Sequence, residues 1–173
     1  MFSGWGLSWG GWLDNRRGEW WLLAQILLIC AHLLPAWPAP AVWGLAIWPR
    51  PLLVLGAVIL LCGLVLALKA FLALGESLSP LPAPKHNNHL VITGPYSHCR
   101  HPLYQAILVS SFGMVIGLGS ILHLVLMISL AVLLRSKAHR EERSLIPLHP
   151  DYATYQATTP AIIPGVVGLD WRQ

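Results

Sequence analysis

Two short stretches hold most of the groups able to do chemistry. The first runs His86-Asn87-Asn88-His89, then Leu90-Val91-Ile92-Thr93-Gly94-Pro95-Tyr96, then Ser97-His98-Cys99-Arg100-His101-Pro102-Leu103-Tyr104. The second reads Arg135-Ser136-Lys137-Ala138-His139-Arg140-Glu141-Glu142-Arg143. Thr93 to Tyr96 is turn chemistry, since Gly94 tolerates either sign of φ and Pro95 fixes its own. Pro102 stands where a helix opens, at a first-turn position that needs no amide donor. A helix N-terminus there offers N–H groups and a positive dipole end to a carboxylate or phosphate, and Arg100 and His101 add donors at the same point. In the second stretch Lys137 and Glu141 share a helix face, as do His139 and Arg143. A charged helix end solvated among headgroups accounts for Arg135, Arg140 and Arg143. It does not account for Glu141 and Glu142, because anionic headgroups favour only the cations. Glu142 and His98 are candidate proton acceptors. Cys99 lies beside Arg100, a cation that lowers a thiol pKa, whereas Cys30 and Cys62 sit in apolar runs as small hydrophobes. With no CxxC pair, a disulfide or zinc site has little support.

The elements that must position these groups belong to a membrane. Of 173 residues, 55% are hydrophobic and 10% charged, with mean hydropathy +0.61, whereas soluble domains carry charge on roughly a quarter of their residues. Disorder is excluded by the apolar content, and a nucleic-acid partner by too few basic residues to form a stripe, despite a net charge of +4. The apolar runs predict an all-α polytopic integral membrane protein with about four transmembrane helices. The first runs from Trp20 to about Trp37 and the second from Pro51 to Leu74. The charge-free stretch Leu103 to Leu134 would be about 48 Å long as one helix, too long for one crossing. It must break near Gly117, Gly119 and Ser120, giving a tight hairpin of Pro102 to Leu118 and Ser120 to about Arg140. Both hairpin helices are short in apolar length, so full crossing and partial insertion both stay open. Met1 to Leu13, with Phe2, Trp5, Trp9 and Trp12, reads as a retained interfacial segment. With four crossings every basic residue except Arg50 falls on one face, which places both termini and the loop before Pro102 in the cytoplasm. One domain over 1–173 follows: an interfacial segment at 1–19, two spans at 20–75, a catalytic region with the last two spans at 76–164, and a tail at 165–173.

Taken in order, His89-Leu90-Val91, Gly94-Pro95-Tyr96, Arg100-His101-Pro102-Leu103-Tyr104, Glu141-Glu142 with Leu145, Tyr152, Tyr155 and the closing Pro160 to Pro164 resemble the isoprenylcysteine carboxyl methyltransferase family and its wider phospholipid-methyltransferase relatives. The resemblance covers about Asn88 to Pro164. It implies S-adenosylmethionine bound at the cytosolic membrane surface by the loop and tail, and a lipophilic acceptor arriving from the bilayer. The acceptor it implies is the carboxylate of a prenylcysteine-like group, with a phospholipid or another small lipid as the alternative. By position, Asn88, His89, Leu90, Val91, Tyr96, His101, Pro102, Leu103, Tyr104 and Glu141 would line the cofactor. The family's substrate-side arginine corresponds to Lys137, a departure, since lysine cannot reproduce a bidentate guanidinium grip on a carboxylate. Arg140 or Arg135 would substitute, so Lys137, Arg140 and Glu142 are the residues expected to carry catalysis. The chemistry of the side chains agrees with this set. His101 and the helix N-terminus suit the cofactor's carboxylate, Glu141 its ammonium or ribose hydroxyls, and Tyr96 or Tyr104 its adenine or sulfonium. Methyl transfer is an in-line displacement, so a carboxylate acceptor needs alignment and desolvation but no base.

Two other classes compete. The chain has eight histidines, and His86, His89, His98 and His101 would make a membrane metalloenzyme, although the adjacent histidines of diiron boxes are lacking. His32 and His123 lie in apolar spans, where haem or proton handling and interhelical hydrogen bonding both stay open, the second being favoured. A non-catalytic relative that keeps the fold is the other class. The oligomeric state stays open too, because Gly56 and Gly63 on the second span permit close helix packing.

Overall fold

The computed structural model describes residues 18–75 and 90–172, so the Met1 to Leu13 segment and the loop residues Asn88 and His89 lie outside the described residues. The elements are α1 (Glu19–Ala31), a 3-10 turn at Pro40–Trp43, α2 (Arg50–Leu74), a 3-10 turn at Gly94–Ser97, α3 (Pro102–Leu118), α4 (Ile121–Leu145) and α5 (Tyr152–Thr158). No strand occurs among the described residues.

Helix lengths separate the four long elements into two kinds. α2 and α4 have 25 residues each and are apolar enough to cross a membrane, at about 37 Å against a hydrocarbon core of about 30 Å. α1 and α3, with 13 and 17 residues, are shorter apolar helices. The first apolar run therefore does not stay helical to Trp37. It stops at Ala31 because Pro35, Pro38 and Pro40 lack amide donors and restrict the residues before them. Hydropathy does not register that backbone effect. Trp37 instead ties to the start of α4: its N–H donates to Ser120 Oγ at 3.0 Å, and its carbonyl accepts from Leu122 N at 3.0 Å.

α2 shows why hydrocarbon surrounds this fold. Only 11% of its most apolar window is buried, and Leu53, Val54, Leu61, Leu68 and Leu72 are exposed. Its buried residues are Gly56, Gly63 and Ala70, seven apart on one face. That face meets α3 at backbone contact: a methyl group at Gly56 would collide with Gly113 and Gly117, and one at Gly63 with Ser110 and Ala106. The pairing of Gly56 with Gly117 and Gly63 with Ser110 makes the two helices antiparallel. Small residues are how helices associate where lipid removes the hydrophobic drive between them.

α3 and α4 form the hairpin foreseen from the break. Gly119 takes a left-handed conformation at φ +57° with the Trp48 ring packed where a side chain would stand. Trp48 Nε1 donates to Ile116 O at 2.9 Å, and Ser120 accepts from His123 N at the start of α4. The inner face of α4 runs His123, Leu126, Leu130, Leu134, Lys137, Ala138, Glu142, so one buried stripe begins apolar and ends ionisable. Tyr104, Leu108, Leu130, Leu134, Ala138, Ala161 and Ile162 form the core.

α1 packs on α4 in the antiparallel sense, and the histidine that caps its C-terminal end makes cross-links. His32 Nδ1 donates to Leu28 O at 2.8 Å, so its Nε2 accepts from Ser111 Oγ at 2.5 Å. His123 Nε2 faces His32 O at 3.1 Å, with the two rings edge to face at 5.7 Å. Both histidines are thus engaged in hydrogen bonds between segments, which satisfies buried polar groups in an apolar setting.

Candidate functional site

At the end of the bundle where α3 begins and α4 ends, the chain gathers its ionisable groups. Arg100 comes from the turn before α3 and Glu142 from the last turn of α4. Their side chains are 0% and 3% exposed, with Arg100 Nε 2.8 Å from Glu142 Oε1. The other guanidinium nitrogens are also occupied. Nη1 donates to the carbonyls of Gln156 (2.9 Å) and Thr159, and Nη2 to the carbonyl of Trp171 at 2.9 Å. Glu142 receives three more donors: His101 Nε2 at 2.9 Å, Gln156 Nε2 at 3.2 Å and Trp171 Nε1 at 2.7 Å. The Trp171 ring stacks on His139 at 3.9 Å. Loop, helix end and tail are therefore joined through one buried carboxylate. Four donors thus occupy the two oxygens of the residue expected to act as proton acceptor, an arrangement that favours its ionised form.

Glu141, the neighbouring residue, faces a second cluster. Its Oε1 accepts from the Tyr104 hydroxyl, and its Oε2 lies 3.6 Å from His101 Nδ1. His101 thus stands between the two carboxylates, its ring parallel to that of Tyr104 at 5.3 Å. Lys137 Nζ lies 5.3 Å from the centre of the Tyr104 ring and donates to Gln25 Oε1 of α1 at 2.8 Å. Unlike Glu142, Glu141 is only half-buried, so its carboxylate is the accessible member of a cluster in which Tyr104, His101 and Lys137 are buried. A carboxylate, an ammonium and a phenol ring side by side suit a zwitterionic ligand with an apolar or aromatic part.

The tail closes over this end. Arg100 N donates to Pro160 O at 2.8 Å and His101 N to Ala161 O at 2.9 Å, while the Tyr104 and Gln105 amides return to His101 O at 3.0 Å. The Arg100 and His101 amides just ahead of α3 are thus taken by the protein's own carbonyls, which narrows the expected anion site at the α3 N-terminus to the amides of the helix itself. Tyr155 donates its hydroxyl to Tyr96 O, which ties α5 to the Gly94–Ser97 turn and leaves Tyr96 buried. Burial raises the Tyr96 hydroxyl well above the ordinary tyrosine range, with Tyr155, Glu141 and Cys99 adding to it. Burial also pushes the Cys99 thiol up to about 11, against the opposing His101 amide and Arg100 charge. The activated thiol suggested by the adjacent Arg100 is therefore corrected: the guanidinium turns toward Glu142, and desolvation dominates.

Of the residues singled out from sequence, the fold brings His101, Tyr104, Lys137, Glu141 and Glu142 together. Pro102 is buried and Leu103 packs against the core. Leu90 and Val91 are half-buried where the described loop resumes, and Arg140 is exposed, about 200° around α4 from Glu142. His98 is exposed with Nδ1 3.1 Å from Ser97 Oγ. Gln25, Gln156 and Trp171 were missed. Gln25 had a signal, an amide interrupting an apolar run; the other two had none, because their partners are remote in sequence.

Comparison with known proteins adds an independent line. Residues 51–148 match the family described as Phospholipid methyltransferase. The cobalt-zinc-cadmium resistance protein CzcN of Cupriavidus metallidurans is 36% identical over 85 residues, which cover 46% of this chain and 38% of that protein. The nickel-cobalt-cadmium resistance protein NccN of Alcaligenes xylosoxydans xylosoxydans is 34% identical over 85 residues, again 46% of this chain and 38% of the relative. This chain thus matches well under half the length of either relative.

Proposed function

This chain belongs to the phospholipid methyltransferase family, within the wider group that includes the isoprenylcysteine carboxyl methyltransferases, and on that footing we propose that it is a membrane methyltransferase using S-adenosylmethionine on a lipophilic acceptor. The observation that carries the reading is the meeting of His101 and Tyr104 with Glu141 and Lys137 at one end of the α3–α4 hairpin. The donor set fits the cofactor by chemistry, with a half-open carboxylate for an ammonium or ribose hydroxyls and the Tyr104 phenol ring for a cation or a purine.

Bound there, S-adenosylmethionine supplies a methyl group activated by a sulfonium. Glu141 orients it, sharing one oxygen with the Tyr104 hydroxyl. Tyr104 offers a ring face, and Lys137 balances the local negative charge from above that ring. The buried pair of Arg100 and Glu142 holds the α3 entry, the α4 end and the tail in one arrangement, which is the preorganisation an in-line displacement needs. The lipid-facing helices deliver an apolar acceptor laterally, and the cluster of basic residues near this end supports a cytoplasmic position for it.

A prenylcysteine-like carboxylate is the finer reading of the acceptor, and no proton then moves in the transfer. The family description favours a second, a phospholipid headgroup. An amine there needs a base, for which His98 remains once Glu142 is committed to its four donors. Resistance to cobalt, zinc, cadmium and nickel is named for the relatives; among the described residues no three His, Cys, Asp or Glu side chains group as metal ligands.

Titration of S-adenosylmethionine into wild type, His101→Ala and Glu141→Ala tests the assignment. Weaker binding in both variants is expected; no binding by wild type, or undiminished binding in both, overturns it. Labelled S-adenosylmethionine incubated with membranes then separates the acceptors. Base-labile label in lipid extract marks an ester, and stable label an amine or sulfur.

A further inference from the structure

Gln25 belongs to α1, outside the matched segment 51–148, yet its side chain reaches the cluster at Glu141. Lys137 is 3% exposed at the end of the apolar stripe of α4. A lysine ammonium in that position needs oxygen acceptors, and Gln25 Oε1 supplies one at 2.8 Å. The amide orientation is fixed by chemistry, because an ammonium has no lone pair and only the oxygen of Gln25 can face it. Lys137 in turn lies against the Tyr104 ring, and Tyr104 donates to Glu141. The contacts form a chain from α1 through α4 to α3: Gln25, Lys137, Tyr104, Glu141.

We propose that Gln25 is a positioning residue of the site, fixing the Lys137 ammonium over Tyr104 and beside Glu141, so that α1 completes a site the α2–α4 segment does not build by itself. The proposal rests on the cofactor reading above. Without Gln25 the long lysine side chain has other rotamers within reach, including those directed along α4 toward the headgroup level. The carboxylate and ring it now faces would then lose their cation.

The test uses the full chain in detergent with S-adenosylmethionine as the probe. Gln25→Leu removes the acceptor at similar volume, Gln25→Glu keeps an acceptor, and Lys137→Ala removes the group positioned. A hydrogen bond to a charged group predicts a loss of affinity of about tenfold in Gln25→Leu. That loss should be absent on a Lys137→Ala background, and Gln25→Glu should restore affinity to within about threefold of wild type. Thermal unfolding of each variant, measured in parallel, separates this from a packing role, which would lower stability and add to the effect of Lys137→Ala. Additive losses, or unaltered affinity in Gln25→Leu, overturn the proposal. A second readout needs no ligand: acylation of Lys137 by an amine-reactive reagent, followed by mass spectrometry, should quicken about tenfold in Gln25→Leu. An unaltered rate shows that Gln25 does not hold the ammonium. Should wild type fail to bind S-adenosylmethionine, the cofactor reading falls, and the acylation rate still decides whether Gln25 fixes Lys137.

Discussion

Replacing Glu142 by alanine takes away the acceptor of four donors at once, and the cost can be worked from their surroundings. Arg100, with its side chain 0% exposed, loses its ion partner; breaking a buried pair on one side costs about 3–5 kcal/mol. Its remaining bonds to the carbonyls of Gln156, Thr159 and Trp171 hold it in place and keep the figure toward the lower end. His101 Nε2, Gln156 Nε2 and Trp171 Nε1 each lose a bond to a charged group, but Trp171 is half-buried and reaches water when the tail loosens. The terms overlap, so a total of about 4 kcal/mol is expected, a large part of the ~5–15 kcal/mol that stabilises an ordinary domain. Glu142→Gln is no safe substitute. Whichever way the amide turns, its NH2 faces donors, either those of Arg100 and His101 or those of Gln156 and Trp171, at a cost of about 2 kcal/mol. Glu141→Gln, one residue away and half-buried, should stay within about 1 kcal/mol of wild type. Thermal unfolding in detergent ranks the three, and limited proteolysis beyond Leu145 reports release of the tail. If Glu142→Ala is no less stable than Glu141→Gln, or keeps its tail protected, the joining role assigned to Glu142 is wrong.

The remaining expectations spread over the molecule. Tyr104→Phe and Glu141→Gln should each weaken S-adenosylmethionine binding about tenfold, the worth of one charge-assisted hydrogen bond, with little change in unfolding temperature; calorimetric titration measures both. Gly56→Leu drives a side chain into the backbone of Gly113 and Gly117 and should cost about 3 kcal/mol or more, whereas Leu61→Ala on the lipid-facing side, 63% exposed, should stay within about 0.5 kcal/mol. Trp171→Phe keeps a ring against His139 but loses the N–H to Glu142, for about 1–2 kcal/mol by thermal unfolding. Cys99, with its thiol at about 11, is about one part in a thousand thiolate at pH 8, against about one in ten for an unperturbed thiol. Maleimide at that pH should leave Cys99 unmodified by mass spectrometry, with reactivity rising as pH climbs toward 11. Rapid labelling at pH 8 would contradict the burial.

Local chemistry proved readable where a single residue decides the backbone. Pro102 opens α3, Gly119 turns the hairpin, and Gly94 begins the 3-10 turn ahead of them. The reading failed where partners are distant. The approach to α3 has the composition of an anion site, but Pro160 and Ala161, nearly sixty residues on, supply carbonyls that take the Arg100 and His101 amides just ahead of the helix. Cys99 has a cation as its sequence neighbour, yet that cation is claimed by Glu142 from another helix. Gln156 and Trp171 carried no signal because their partners, Glu142 and Arg100, come from distant parts of the chain.

The two glutamates show the same principle most sharply. As adjacent letters they read as a carboxylate pair suited to one ligand. On a helix, successive side chains diverge by about 100°, so neighbours in an acidic pair start out in different directions. α4 continues to Leu145, and the two directions are used separately. Glu142 continues the buried stripe of Leu130, Leu134 and Ala138, and a charge in that position needs compensation, which Arg100, His101, Gln156 and Trp171 supply. Glu141 lies one step around, beside the face of Lys137, where Tyr104 takes one oxygen and the carboxylate stays half-open. His101 touches both, at 2.9 Å and 3.6 Å, and so couples the carboxylate that holds the end of the bundle together to the one able to meet a ligand. A ligand that drew His101 toward Glu141 would lengthen its bond to Glu142 and loosen the tail's anchor. Tail protection against proteolysis should therefore change when S-adenosylmethionine is added to wild type, and stay unchanged in His101→Ala.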